Sequence, residues 1–122
     1  MIDQANIESF ELEQKPFLIV ALYHFVRLEK TEVWQKRFKK ICAKHSLFGT
    51  ILIACEGING TVAGNHKNVN DFVNWLHNQT EFKKVEIKYS QDYSCPFNRM
   101  KVRLKKEIVT IGKPEIKPSK LK

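Results

Sequence analysis

Between Leu47 and Gly64 the chain reads LFGTILIACEGINGTVAG, in which two apolar segments flank a turn-forming one. The segments TILIA (Thr50 to Ala54) and TVA (Thr61 to Ala63) are rich in the β-branched residues that favour strands. The pattern predicts a β-hairpin whose tight turn is formed by Gly57, Asn59 and Gly60, because these residue types tolerate positive φ angles. Glu56 could serve as a general base, but the preferred interpretation is that its carboxylate accepts backbone N–H bonds and holds the turn.

The segment before this hairpin predicts one strand and one helix. FLIVALYHF, from Phe17 to Phe25, is apolar on both alternating faces, which is typical of a central strand buried on both sides. Thr31 is then expected to cap a helix that starts at Glu32. Five residues form its apolar stripe at a helical period: Trp34, Phe38, Ile41, Cys42 and His45.

The segment after the hairpin repeats this plan. Asn68 is predicted to cap a second helix that ends near Thr80 and has Val69, Phe72, Val73 and Leu76 as its apolar stripe. Val85, Ile87 and Tyr89 then alternate with polar residues in a half-exposed strand. The order of elements predicts an α+β fold, a ferredoxin-like (βαββαβ) two-layer sandwich with an antiparallel sheet and two helices on one face.

An added element is expected after this core. Beyond a loop from Tyr93 to Asn98, the run Met100 to Ile111 predicts an extra strand or hairpin in which Val102 and Leu104 pack inward and Ile108 to Ile111 form a second apolar patch. The predicted organisation is an acidic segment over residues 1–15, the domain over 16–112, and a linker over 113–122 toward a further domain.

The net charge of +8, from 21 Lys and Arg against 13 Asp and Glu, favours an anionic partner such as nucleic acid. In RMKVRLKK (Arg99 to Lys106), alternate cations on one strand face would stand about 6.8 Å apart and follow a phosphate backbone. The alternative is a solvated edge strand whose charges prevent aggregation. The candidate RNA-binding residues are Arg99, Lys101, Arg103, Lys105 and Lys106, with Lys36, Arg37, Lys40 and Lys44 on the outer face of the first helix.

Neither the four histidines nor the three cysteines, Cys42, Cys55 and Cys95, show the spacing of a metal site, a CxxC motif or a disulfide framework. Cys55 beside Glu56 is a possible nucleophile, but a partly buried structural thiol is the preferred interpretation. We therefore predict no metal, no cofactor and no catalytic residue in these 122 residues. The acidic start and the short apolar stretches predict no export signal, no membrane segment and a cytoplasmic location.

Three stretches together resemble the rhodanese-related tRNA uridine hydroxylases: LFGTILIACEGINGTVAG, KYS (Lys88 to Ser90) and PFNRMKVRLKKEIVTIG (Pro96 to Gly112). The resemblance spans roughly residues 16–114. It implies an amino-terminal acylphosphatase-like domain that positions RNA in a tRNA uridine(34) hydroxylase, which forms 5-hydroxyuridine at the wobble position with molecular oxygen as co-substrate. It also implies a following rhodanese-like domain that carries the active-site cysteine, so that the expected partners are tRNA and that domain.

Two other functions remain open at this point. An acylphosphatase-like hydrolase would use the same fold, although the segment VRLEKTE before the first helix lacks the glycine of a phosphate-binding loop. A protein-interaction or dimerisation module would use the sheet face. Because the sequence lacks the aromatic-rich strand of an RNA-recognition motif, it predicts contacts to phosphates rather than to bases.

Overall fold

The computed structural model describes residues 14–106. The elements in chain order are β1 (Phe17–Phe25), α1 (Thr31–Lys44), β2 (Phe48–Ala54), β3 (Gly57–Asn65), α2 (His66–His77), a 3₁₀ helix (Thr80–Phe82), β4 (Glu86–Asp92) and β5 (Met100–Leu104). The sheet order is β4-β1-β3-β2-β5, in which the first four strands pair antiparallel and β5 runs parallel to β2. The ferredoxin-like α+β fold with an added strand is therefore confirmed.

Both helices pack on the same face of the sheet. Along β1, Leu18, Val20 and Leu22 are buried against the helices, whereas Ile19 and Tyr23 point the other way and are only half-buried. The prediction that β1 is buried on both sides is thus wrong, because no element within residues 14–106 covers the second face. We call this second side of the sheet the open face.

An aromatic cluster centred on Phe38 joins the helices to each other. The Phe38 ring centroid lies 6.4 Å from that of Phe72 and 5.3 Å from that of Trp75, both on α2, and 5.7 Å from that of Phe82 in the 3₁₀ helix. Phe38, Phe72 and Phe82 are each fully buried. Such large apolar side chains contribute most of the free energy of burial in a small core. Among the described helices, none has the length and apolar character needed to cross a bilayer.

The helix starts differ from the predicted ones. Helix α1 begins at Thr31 itself, after Lys30, which has a left-handed φ of 57° and makes no side-chain capping bond. Helix α2 begins at His66 and is capped by Asn65, whose Oδ1 accepts from the backbone N–H of Asn68 at 2.8 Å. The backbone N–H of Asn68, which has no acceptor within the helix, therefore donates to the Asn65 side chain, and Asn65 rather than Asn68 is the cap. Helix α2 also ends earlier than predicted, at His77.

The hairpin turn lies earlier in the chain than predicted. Because Ala54 pairs with Gly57, the connecting turn consists of Cys55 and Glu56 alone. Gly57, Asn59 and Gly60 belong to β3, so their assignment to the turn is wrong. Gly57 has a φ of 145°, and a side chain there would collide with the His24 carbonyl of β1. Gly60 faces the core, where an added Cβ would lie 2.8 Å from the Ile51 Cα. Both glycines permit close strand approach.

The two edge strands are more exposed than expected. On β5, Val102 is 4% exposed as predicted, but Leu104 ends the strand with 38% of its surface exposed. On β4, Tyr89 is 56% exposed, although Ile87 is half-buried. The acidic amino-terminal segment up to residue 13, the apolar patch Ile108 to Ile111 and the linker lie outside the described residues.

Replacement of Asn65 by alanine should lower the free energy of unfolding by about 1 kcal/mol, because the first turn of α2 loses its acceptor. Asn68→Ala is the matched control, since the Asn68 backbone N–H and not its side chain makes the capping bond. Urea unfolding of both variants measures the difference. Equal destabilisation by the two substitutions would contradict the assigned cap.

The three thiols should differ in reactivity. Burial raises the pKa of the Cys42 thiol to about 12, so that it stays protonated at ordinary pH, whereas Cys55 is exposed in the turn and Cys95 is half-buried. Because the thiolate is the nucleophile, iodoacetamide at about pH 8 should modify Cys55 first and Cys42 only after unfolding. Mass spectrometry of the modified peptides gives the order. Rapid labelling of Cys42 in the folded chain would show that α1 does not pack as described.

Candidate nucleic-acid interface

The direction of the β5 side chains follows from the pairing of β5 with β2. Lys101 lies beside Thr50, Val102 beside Ile51 and Arg103 beside Leu52. Since Ile51 is buried under the helices, Val102 shares that side, and Lys101 and Arg103 point to the open face. By the same alternation, Arg99 and Lys105 extend this line at its two ends. We call Arg99, Lys101, Arg103 and Lys105 the β5 basic row.

All four side chains of the β5 basic row are exposed, as is Lys106. Within residues 14–106, none of the four has a carboxylate partner within salt-bridge distance. The two ion pairs found in this range, His45–Asp71 and Lys67–Asp71, both lie at the α2 side of the molecule. The charge of the row is therefore not neutralised by neighbouring acids of the described chain and remains available to a ligand.

A polar pocket of about 340 Å³ opens on the same face, next to the start of β5. Its lining residues are Thr50, Pro96, Phe97, Asn98, Arg99 and Lys101. The backbone N–H of Gly49 donates to the carbonyl of Arg99 at 2.9 Å and fixes where the loop joins the strand. The Cys95 thiol donates to the carbonyl of Phe97 at 3.4 Å. Two cations, a hydroxyl and an amide thus converge at one end of the β5 basic row.

A second basic surface lies on α1. Lys36, Arg37, Lys40 and Lys44 are all exposed, and the Arg37 guanidinium carbon stands 4.8 Å from the centroid of the Trp34 ring. Three of these cations line a cleft between α1 and α2 of about 380 Å³, together with Ile41, Trp75 and Gln79. A cation held over an indole face is oriented as well as attracted. We call this surface the helix cleft.

The two basic surfaces belong to opposite layers of the sandwich. Helix α1 lies beside β5, and its Gln35 side chain donates to the Val102 carbonyl at 2.9 Å. The β5 basic row, however, points to the open face, whereas the helix cleft is on the far side of the helices. The sequence grouped these nine cations as one candidate set, but the structure separates them into two surfaces that share only the β5 edge.

The corner at the β2–β3 turn holds the remaining candidate residues. Cys55 and Glu56 line a shallow cavity with Arg27 and Phe25, and Cys55 is exposed, so the prediction of a partly buried thiol is wrong. The backbone N–H groups of Val26 and Leu28 donate to the Glu56 and Cys55 carbonyls at 3.0 and 2.7 Å. These two amides are therefore occupied and cannot hold a phosphate as an acylphosphatase loop would. No cluster of potential metal ligands occurs in residues 14–106.

Two aromatic side chains of the open face were missed in the sequence. Tyr23 and Phe25 alternate with buried residues on β1, and their ring centroids are 5.1 Å apart with the rings inclined at 70°. Phe25 is 54% exposed. The sequence offered no signal for them, because β1 is apolar at nearly every position and only the placement of both helices on one side leaves Phe25 exposed and Tyr23 half-buried.

Solved structures share the arrangement of strands and helices. BlrB, a BLUF protein in its dark state, superposes with a TM-score of 0.63 at 9% identity over 75% of each chain. A bacterial light-regulated adenylyl cyclase superposes with a TM-score of 0.57 at 16% identity, over 72% of this chain and 27% of that one. Similarity at such low identity shows the fold alone.

Curated relatives are much more similar in sequence. The tRNA uridine(34) hydroxylase of Agrobacterium fabrum is 46% identical over 105 residues, which are 86% of this chain and 33% of that protein. The one from Bartonella quintana is 44% identical over 108 residues, 88% of this chain and 36% of that protein. The chain thus spans about a third of the length of these relatives. A family model described as UPF0176 acylphosphatase like domain matches residues 17–108. The resemblance found in the sequence is confirmed, and the chain belongs to the family of UPF0176 acylphosphatase-like domains.

Proposed function

We propose that this chain is the RNA-positioning domain of a cytoplasmic tRNA uridine(34) hydroxylase. The observation that carries the RNA-binding role is the β5 basic row, an exposed line of cations on a sheet face that the helices leave open. The relatives that bear this enzyme name match nearly the whole of the chain. The proposed reaction of the full enzyme forms 5-hydroxyuridine at the wobble position, with molecular oxygen as co-substrate.

The proposed division of labour leaves the chemistry to another part of the enzyme. A rhodanese-like domain following this one would carry the active-site cysteine, and relatives about three times as long as the matched region have room for it. Of the described thiols, Cys42 is buried, and no histidine lines the cavity beside Cys55 that could activate it as a nucleophile. This domain would hold the tRNA so that its anticodon reaches that site.

The β5 basic row suits a phosphate backbone for physical reasons. Alternate residues of a strand are about 6.8 Å apart, so consecutive cations of the row can contact successive or alternate phosphates of one nucleic-acid strand. Each contact releases a condensed counterion, which makes binding depend steeply on salt concentration. Phosphate contacts position the RNA without reading its sequence, in keeping with a domain that presents tRNA to a separate catalytic site.

Binding of unmodified tRNA to the 122-residue chain should weaken with salt as expected for about four phosphate contacts. A fourfold rise in monovalent salt should then lower the affinity by about 50- to 150-fold. The double reversal Lys101→Glu with Arg103→Glu removes the two central contacts of the row, so the same rise in salt should lower its affinity by only about 7- to 12-fold. Fluorescence anisotropy of labelled tRNA over a salt series measures both slopes.

The matched control reverses two exposed lysines at the other end of the sheet, Lys83→Glu with Lys84→Glu, which follow the 3₁₀ helix. It changes the net charge equally and should leave the salt slope unchanged. Thermal unfolding verifies that both double variants are folded. If the two variants lower the slope equally, the binding reflects net charge alone, and the β5 basic row is only a solvated edge strand.

The 122-residue chain should not hydroxylate tRNA by itself, because the proposal assigns the active-site cysteine to a different domain. Wobble-unmodified tRNA incubated with the chain in air should yield no 5-hydroxyuridine above the protein-free background. Nucleoside analysis by mass spectrometry provides the measurement. Formation of 5-hydroxyuridine would contradict the division of labour, and repeating the assay with Cys55→Ser would then show whether the exposed thiol takes part.

A further inference from the structure

The open face has an apolar centre between charged edges. Its centre is formed by half-buried and exposed side chains from two strands, Phe17, Ile19, Tyr23 and Phe25 on β1 and Phe48 and Leu52 on β2, with the buried Ala63 of β3 between them. The β5 basic row borders this centre on one side, and β4 borders it on the other. Among the described residues nothing packs over this surface. A ligand that covers both parts of this surface would therefore combine apolar groups with negative charge.

Phe25 and Tyr23 form the most exposed aromatic surface of this face. The two rings meet edge to face, with centroids 5.1 Å apart and planes inclined at 70°. Phe25 retains 54% of its surface in contact with solvent, although it lies on a strand next to the centre of the sheet. Edge-to-face packing holds the two rings against each other, and the exposed surface of Phe25 is accessible to a further aromatic group.

The strand register places these rings in line with the cations. Tyr23 pairs with Asn59 of β3, Asn59 with Leu52 of β2, and Leu52 with Arg103 of β5. Three strand spacings separate Tyr23 from Arg103, a distance of about 14 Å between their Cα atoms. The neighbouring row of paired residues connects Ala21 of β1 to Lys101 of β5 through Thr61 of β3 and Thr50 of β2. The aromatic pair and the basic row thus flank one continuous surface.

The two edges of the open face differ in charge. On β4 the open face carries Glu86 and Asp92 with Lys88 between them, so that edge has no excess of positive charge. The β5 edge carries four cations and, within the described residues, no acid. A polyanion is therefore attracted to β5 and kept from β4. If its phosphates lie along β5, the groups attached to them extend across β2 and β3 toward Tyr23 and Phe25.

We propose that the open face binds unpaired RNA, with a nucleobase stacked on Phe25 while the β5 basic row holds the phosphates. This inference rests on the proposed RNA-positioning function and adds that the recognised part of the RNA is single-stranded. Bases can stack on a protein side chain only when they are released from their own helix. A four-stranded ferredoxin-like sheet with aromatic side chains on its uncovered face is a known geometry for this purpose. This proposal adds a base contact to the sequence-based expectation of phosphate contacts alone.

The aromatic contribution can be separated from the ionic one with substitutions at Phe25. Phe25→Ala should weaken binding of an oligouridine of about 15 nucleotides by about 5- to 150-fold, the usual effect of losing one stacking side chain. The salt slope should stay unchanged, because no phosphate contact is lost. Phe25→Tyr keeps the ring and should retain the affinity. Val33→Ala, at an exposed apolar position of α1 on the helix layer, is the matched control and should have no effect.

The same measurements with a blunt RNA duplex of about the same length complete the test, because paired bases cannot stack on the protein. The chain should prefer the oligouridine, and Phe25→Ala should leave duplex binding unchanged. If Phe25→Ala binds the oligouridine like the unsubstituted chain with the same salt slope, the stacking proposal is overturned while the proposed RNA-positioning function stands. That outcome would indicate that the apolar centre takes a protein partner instead. If the chain binds neither RNA, the proposed function itself fails.

Discussion

The packing of Phe38 against both α2 and the 3₁₀ helix is the constraint on which the rest of the architecture depends. Its ring contacts those of Phe72, Trp75 and Phe82, and it thereby fixes α1 and α2 side by side over one face of the sheet. Since the two helices fill that layer, the hydrophobic core of the described residues lies on one side of the sheet, between the sheet and the helices. Within residues 14–106, the proposed binding surfaces then lie where this packing leaves the chain uncovered: the open face and the outer side of the helices.

The sequence predicted the fold well because the signals for it were periodic. The helical stripes of α1 and α2 and the alternation in β5 each report which side of an element is buried, and the structure places Trp34, Phe38, Phe72 and Val102 accordingly. The prediction of the helix cap was wrong where two nearby residues of the same type could both serve as the cap. Asn65 and Asn68 are both good caps, and only the backbone conformation at the end of β3 decides between them.

The candidate site was predictable only in part. Exposure of the β5 cations follows from alternation, so that feature was accessible from the sequence. The separation of the β5 basic row from the helix cleft was not, because it depends on which face of the sheet α1 occupies. The aromatic pair on β1 was hidden for the same reason, since FLIVALYHF has no polar face to mark the uncovered side.

The division of positive charge between two layers bears on which shapes of RNA the proposed function would suit. The β5 basic row and the helix cleft face opposite directions and meet only around the β5 edge. One straight duplex cannot contact both surfaces, whereas a bent or branched RNA, or two separate segments of one folded RNA, can reach around that edge. A tRNA has such a shape, which agrees with two modest surfaces rather than one large basic patch.

The parallel pairing of β5 with β2 also has a kinetic consequence. The β2–β3 hairpin closes over a two-residue turn, but β5 joins β2 only when segments about 50 residues apart in the chain meet, as Thr50 and Lys101 do. Closing so long a loop is entropically unfavourable until the core is in place. The basic strand, like β4, which joins β1 across still longer separations such as Phe17 with Asp92, should accordingly dock later than the β2–β3 hairpin. A partly folded chain would then have its core sequences but no ordered row of cations, so that the proposed RNA-binding surface forms only with the completed fold.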